Sequence, residues 1–172
     1  MTILAKDSIH LRCFGESDQH RLAELCNNIK IWNNVRDLFP HPYSEGHAIE
    51  FIQNCRQENP QYTFAINYKG ELAGCTGLVK QTDVYKLSAE IGYWIGEPYW
   101  GLGIATKAVE LLTEYGFQQL GLVRIYSGVF DFNTASQRVL EKAGFKMEGI
   151  FEKSVIKNGK ICDEYRYAKT DR

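Results

Sequence analysis

Apolar and polar positions alternate over Ser8-Ile9-His10-Leu11-Arg12-Cys13-Phe14, the two-residue period of a strand with one covered face. Ser17-Asp18 offers a cap for a short helix carried by Leu22, Leu25 and Ile29. Residues 31–43 have no period but are rich in rings and prolines: Trp32, Phe39, Pro40, Pro42 and Tyr43. Ser44 or Glu45 then opens a second helix, with Ala48, Phe51, Ile52 and Cys55 as its apolar stripe, ending before Pro60. Residues 62–68 and 71–80 flank Lys69-Gly70 and predict a hairpin, followed by a third strand over 86–96.

Beyond Pro98 the period lengthens. Ile104, Ala108, Leu111, Leu112 and Tyr115 recur at three and four, while Lys107, Glu110 and Glu114 are polar, which predicts a helix. A strand over 122–130 follows, then a helix over 133–142 stopped by Gly144. Residues 145–150 and 151–156 are extended, and Asn158-Gly159 turns the chain tightly into 161–168. No repeat, low-complexity tract or linker interrupts the pattern, so the expectation is one mixed α/β domain over 1–172.

Composition narrows the function. The chain has 172 residues, 44% hydrophobic and 24% charged, enough for a packed core and against wholesale disorder. Twenty Lys+Arg against twenty-one Asp+Glu give a net charge of −1, which argues against a nucleic-acid coat or a polybasic membrane anchor. There is no apolar run long enough to span a bilayer and no signal-peptide layout at the start, so the expected compartment is cytoplasmic. The five cysteines are odd in number and form no CxxC pair, and His10, His20, His41 and His47 have no ligand spacing. Buried thiols and no metal are expected.

The most informative stretch is Ile91-Gly92-Tyr93-Trp94-Ile95-Gly96-Glu97-Pro98-Tyr99-Trp100-Gly101-Leu102-Gly103-Ile104-Ala105-Thr106, a strand running through a glycine-spaced turn into a helix. The first N–H groups of a helix lack internal partners and carry the positive end of its dipole. Glycines at 101 and 103 let an anion approach those donors, and the first carboxylate, Glu110, comes well after the first turn. Neither the GxxxxGK of a P-loop nor a GxGxxG is present. On spacing alone, an anion site and a ligand-free tight turn both remain open.

Four segments in order carry a resemblance over most of the chain: Ala89 to Ile95, Tyr99 to Thr106, Asn133-Thr134-Ala135-Ser136, and Val139 to Phe145. Together they resemble the GNAT superfamily of N-acetyltransferases, in the RimJ/RimL-like branch that acetylates ribosomal-protein N-termini. The family's phosphate loop reads Gln or Arg, two residues, Gly, one residue, then Gly or Ala. Gly103 and Ala105 match it, and Trp100 stands in the first place. The resemblance implies a splayed, mostly antiparallel sheet flanked by helices, with acetyl-CoA as cosubstrate. It further implies that Tyr93, Trp94 and Ile95 offer backbone groups to the pantetheine arm. The turn Trp100, Gly101, Leu102, Gly103, Ile104, Ala105 and Thr106 would take the pyrophosphate, and Asn133 the pantetheine amide. A homodimer is one of the assemblies the family forms, although no heptad or apolar surface patch is readable here.

Amine acetylation needs a neutral amine and a proton for the departing thiolate, yet an N-terminal amine (pKa about 8) or a lysine (about 10.4) is largely protonated at neutral pH. Alternation places Ser88, Glu90, Gly92 and Trp94 on one face of the third strand, so Glu90 is a candidate general base. A salt-bridged strand glutamate is the plainer reading. The family's frequent tyrosine acid is missing, since Leu140 occupies its place, and the branch's serine is Ser136, the candidate general acid. Asn133 also suits a plain helix cap, and Ser136 a solvated first-turn serine. For the amine acceptor the candidates are Asn33, Asn34, Arg36, Phe39 and Tyr43, with Asp163, Glu164 and Tyr165, although 163–166 also read as a charged edge strand. A protein N-terminus, a polyamine, an antibiotic or an amino acid are all acceptors the sequence admits. A non-catalytic acyl-CoA-binding module is the competing class.

Overall fold

The computed structural model describes residues 2–171. Two short strands, β1 (Thr2–Lys6) and β2 (Ile9–Arg12), lead into the helices α1 (Gln19–Cys26), α2 (Ile29–Trp32) and α3 (Glu45–Arg56). A meander of β3 (Thr63–Tyr68), β4 (Glu71–Lys80) and β5 (Ser88–Ile95) follows, then α4 (Ile104–Gln118), β6 (Arg124–Phe130), α5 (Thr134–Lys142), β7 (Lys146–Lys157) and β8 (Lys160–Thr170). The strands make one eight-stranded sheet in the order β1-β2-β3-β4-β5-β6-β8-β7, antiparallel except for β5 against β6. This is the mixed α/β architecture expected.

Local chemistry sets most boundaries. Ser44 caps α3, its hydroxyl accepting from the N–H of His47 at 3.3 Å. The side chain of Asn133 caps α5 by accepting from the N–H of Ser136 at 3.2 Å. Asn158 and Gly159 both have positive φ (53° and 73°), the backbone of a two-residue hairpin turn. Two expectations are corrected. The first helix does not extend to Ile29: α1 stops at Cys26, Asn28 accepts from the N–H of Lys30 to start α2, and Ile29 is exposed while Ile31 is buried. The strand β1, which the pattern did not predict, pairs with β2 at the sheet edge.

α1 and α3 pack together on one face of the sheet, and α4 lies on the other against β2, β4 and β5. β4 is covered on both sides, so its residues from Leu72 to Thr76 are all buried, as expected of a central strand. α4 turns Ile104, Ala108, Val109, Leu111 and Leu112 inward.

One feature of register makes the site. β5 pairs with β6 only through Ser88↔Arg124, Ala89↔Ile125 and Glu90↔Tyr126. Past that point β5 stays on β4 as far as Ile95↔Gly74, while β6 stays on β8 as far as Phe130↔Glu164. The two strands therefore part beyond Glu90, and the sheet opens.

Candidate active site

The opening is a cleft of about 530 Å³, a size suited to a cofactor-sized molecule. Its walls are the end of β5 (Tyr93, Trp94, Ile95), the turn from Tyr99 to Gly103, the first turn of α4 (Ile104, Ala105, Thr106), one side of α5, and the α2 end from Lys30 to Val35. The turn is held from both sides. The hydroxyl of Tyr99 donates to Glu71 at 2.8 Å and accepts from Arg21. The indole N–H of Trp100 donates to the Ile95 carbonyl at 2.7 Å. Trp100 thus ties the loop back to its own strand, work that uses a side-chain donor where the family pattern has Gln or Arg.

Gly101 and Gly103 lie at φ 77° and 73°, a left-handed conformation that costs other residues about 1–2 kcal/mol. A Cβ at either would meet nothing within 4 Å, so the turn is open as well as left-handed. The first backbone bond of α4 runs from the Lys107 N–H to the Gly103 carbonyl at 3.3 Å. The N–H groups of Ile104, Ala105 and Thr106 have no acceptor among the described residues, and no acid stands in that first turn. Across the cleft α5 presents Arg138 and Lys142, one turn apart, neither in an ion pair among the described residues. Open donors, a positive dipole end and two free cations fit the diphosphate of a CoA thioester.

Deeper in, the Tyr93 hydroxyl lies 2.7 Å from the Ser136 hydroxyl and 3.2 Å from its carbonyl. Burial pushes the phenol far above its ordinary value, and the Ser136 bond opposes this only partly, so Tyr93 keeps its proton. Glu90 lies at the mouth of the splay. Its carboxylate, 18% exposed, accepts from Arg36 at 2.5 Å. A Cβ at Gly92, between Glu90 and Trp94 on the same strand, would meet nothing within 4 Å, so that face has room above it.

Arg36 comes from the segment between α2 and α3, which is fastened to the last hairpin. The Lys157 ammonium, its side chain 3% exposed, sits 3.6 Å from the Trp32 ring centroid and 2.6 Å from Asp37. The Asn158 amide donates to Asn33 at 2.9 Å. Phe39 from the same segment packs edge-on to Trp94.

The cleft therefore gathers Asn34, Tyr93, Trp94, Ile95, Trp100, Gly101, Gly103, Ile104, Ala105, Thr106, Asn133 and Ser136, with Leu102 exposed on the turn. Glu90, Arg36 and Phe39 stand on the adjoining face. Two acceptor candidates lie elsewhere. Tyr43 is buried against Phe39 and the thiol cluster of Cys26, Cys55 and Cys75. Tyr165 pairs with Val129 and shares the side of Tyr167, whose hydroxyl bonds Glu141 of α5, so it faces away from Glu90. Lys30, Arg138, Lys142 and Lys157 were missed. Only the two α5 cations carried a local signal, an i,i+4 basic pair.

The model of the acetyltransferase (GNAT) domain matches residues 8–146. YjcK of Bacillus subtilis (strain 168), described as a probable N-acetyltransferase, is 50% identical over 72 residues, which are 42% of this chain but only 40% of YjcK. Spermidine N(1)-acetyltransferase of Escherichia coli (strain K12) is 29% identical over 92% of this chain and 84% of its own. Among solved structures, RimL, a ribosomal L7/L12 alpha-N-protein acetyltransferase in complex with coenzyme A, superposes with a TM-score of 0.87 over 99% of this chain and 98% of its own, at 22% identity, a likeness of fold. No helix among the described residues is long and apolar enough to cross a membrane. With the family model covering most of the chain and the cleft in the sheet where the register breaks, this protein belongs to the GNAT family of N-acetyltransferases.

Proposed function

We propose that the protein transfers an acetyl group from acetyl-CoA to a primary amine, either a protein N-terminal α-amine or a small amine, by direct attack. The observation that carries this is the row of N–H groups at Ile104, Ala105 and Thr106, without an acceptor among the described residues, opening into the cleft beside the parted strands. Those donors, with Arg138 and Lys142, would hold the diphosphate, and Tyr93, Trp94, Ile95 and Asn133 would line the pantetheine arm. Acetyl-CoA supplies the acyl group and a thiol leaving group. The new bond is from the amine nitrogen to the acetyl carbonyl carbon, and the bond lost is from that carbon to sulfur.

Glu90 takes the proton the ammonium must shed. Its present partner, Arg36, is 63% exposed and can swing to solvent when an ammonium takes its place at the carboxylate. Ser136 gives the departing sulfur its proton, and the second proton, which the attacking nitrogen sheds as it becomes an amide, returns to the serine oxygen through solvent. Tyr93 has one proton to donate: directed at the Ser136 hydroxyl at 2.7 Å rather than at the Ser136 carbonyl at 3.2 Å, it leaves the serine's own hydrogen free to point into the cleft.

Two replacements separate these roles from binding. Ser136→Ala is expected to lower kcat about 100-fold. Tyr93→Phe keeps the ring and removes one hydrogen bond, so about tenfold is expected. Neither should change the KM for acetyl-CoA; a pure KM effect would contradict both assignments. The reading as a whole is tested by thermal unfolding with coenzyme A and with ATP, since a ligand of the native state raises Tm. Coenzyme A should raise it and ATP should not. Thiol release across peptides, polyamines, amino acids and aminoglycosides then separates a transferase from a silent acyl-CoA-binding module.

A further inference from the structure

Beyond the vertex of the splay, the face that carries Glu90 continues across β6 and β8. Tyr126 is the register partner of Glu90, Gly128 stands opposite Arg166, and Phe130 opposite Glu164. Among the described residues there, three carboxylates are each gripped by an arginine. Arg36 holds Glu90 at 2.5 Å, Arg124 holds Glu148 through both terminal nitrogens, and Arg166 holds Glu164 with its Nε at 3.0 Å and a second N–H. Their formal charges cancel.

The pair at Glu164 is built into the sheet. Because residue 128 is glycine, the Glu164 carboxylate lies flat on the strand: a Cβ there would fall 2.5 Å from its Cδ. The Arg166 guanidinium is stacked at 4.9 Å from the Tyr126 ring centroid and 4.7 Å from that of Phe151. Arg124 adds a further cation 5.7 Å from Tyr126. A compact, strongly hydrated alkylammonium cannot reproduce that stacking together with the two N–H bonds that converge on Glu164 Oε1, so it does not displace Arg166 from Glu164. Arg36, exposed and unstacked, is the one member an incoming ammonium can replace.

We propose that Arg36, Arg124 and Arg166 are acceptor-specificity residues that admit one ammonium, at Glu90, and exclude polycationic amines by occupying the remaining carboxylates. A polyamine would set its first ammonium at Glu90 and its next against two carboxylates already paired with arginine and two stacked guanidiniums. A chain that follows its amine with carbonyls or carboxylates finds N–H donors there instead, since each guanidinium has more donors than its glutamate uses. The favoured acceptor is thus a monoamine with a hydrogen-bond-accepting, neutral or acidic chain, as at a peptide N-terminus. This rests on the transferase reading of the same site.

The test is kcat/KM for spermidine and for short N-terminal peptides, in the unaltered protein and in Arg166→Ala and Arg166→Lys. The unaltered protein should prefer the peptides at least tenfold. Arg166→Ala, which frees Glu164, should raise the spermidine-to-peptide ratio at least tenfold, whereas Arg166→Lys, which keeps the positive charge, should retain the discrimination. Thermal stabilisation by coenzyme A checks that each variant is folded. Spermidine used as well as the peptides, or an unchanged ratio in Arg166→Ala, overturns the proposal. Calorimetric titration of spermine into the CoA-saturated protein needs no turnover: no heat is expected before Arg166→Ala and binding after it, and binding to the unaltered protein contradicts the proposal. If no acceptor is consumed yet spermine binds only the variant, the transferase reading fails and the exclusion stands.

Discussion

Replacing Glu90 with glutamine is expected to lower kcat/KM at neutral pH by about 10²–10⁴, the usual worth of a positioned general base. The change is nearly isosteric, and the glutamine oxygen can still accept from Arg36, so the fold and coenzyme A binding should be retained. The informative part is the pH dependence. Below about pH 8 an N-terminal amine is mainly protonated and needs a proton acceptor; above it the free amine attacks unaided. The deficit should therefore shrink steadily as pH rises past the acceptor's own pKa. A deficit of constant size across that range would mean that Glu90 shapes the acceptor face without taking a proton. Unaltered activity would remove it from the mechanism.

Thr106→Glu is expected to act in opposite directions on the free protein and on cofactor binding. The native first turn of α4 has no acid, and the N–H groups of Ile104, Ala105 and Thr106 have no acceptor among the described residues. A glutamate at that position meets the helix dipole favourably, about 0.3–1 kcal/mol, which is roughly 1–3 °C in Tm for a chain of this size. The same carboxylate occupies the donors proposed for the diphosphate and repels it, so coenzyme A affinity should fall at least about 100-fold, or roughly 2.7 kcal/mol. A variant both less stable and weaker in binding would indicate simple damage to the turn. Unchanged affinity would show that the diphosphate lies elsewhere.

What could be read from residues alone was whatever is local. The turn into α4 was legible because glycines, a missing acid and a change of period all sit within one short stretch. The hairpins and α5 were legible for the same reason, through Asn158-Gly159 and Asn133. The contacts that convert those elements into a site were not. Arg36 and Glu90 are 54 positions apart, Tyr93 and Ser136 are 43 apart, and Lys157 and Asp37 are 120 apart. No periodicity links such pairs; the parting of β5 from β6 and the docking of the last hairpin on Trp32 bring them together. Tyr43 and Tyr165 show the same limit from the other side, since composition marks a tyrosine as able to touch an amine and only packing says which way it faces. β1 escaped notice because Ile3, Leu4 and Ala5 are consecutive apolar positions and show no alternation. The break after Cys26 escaped because Leu22, Leu25 and Ile29 keep helical spacing across two asparagines that end one helix and cap the next.

Amide resonances followed by NMR during titration with coenzyme A, and with pantetheine as the arm lacking the diphosphate, address the main-chain grip at its own atoms. Coenzyme A should move the Ile104, Ala105 and Thr106 amide protons downfield along one saturating curve, and pantetheine should leave them in place while shifting Tyr93 to Ile95. Coenzyme A saturating the protein with those three amides unmoved would contradict the account.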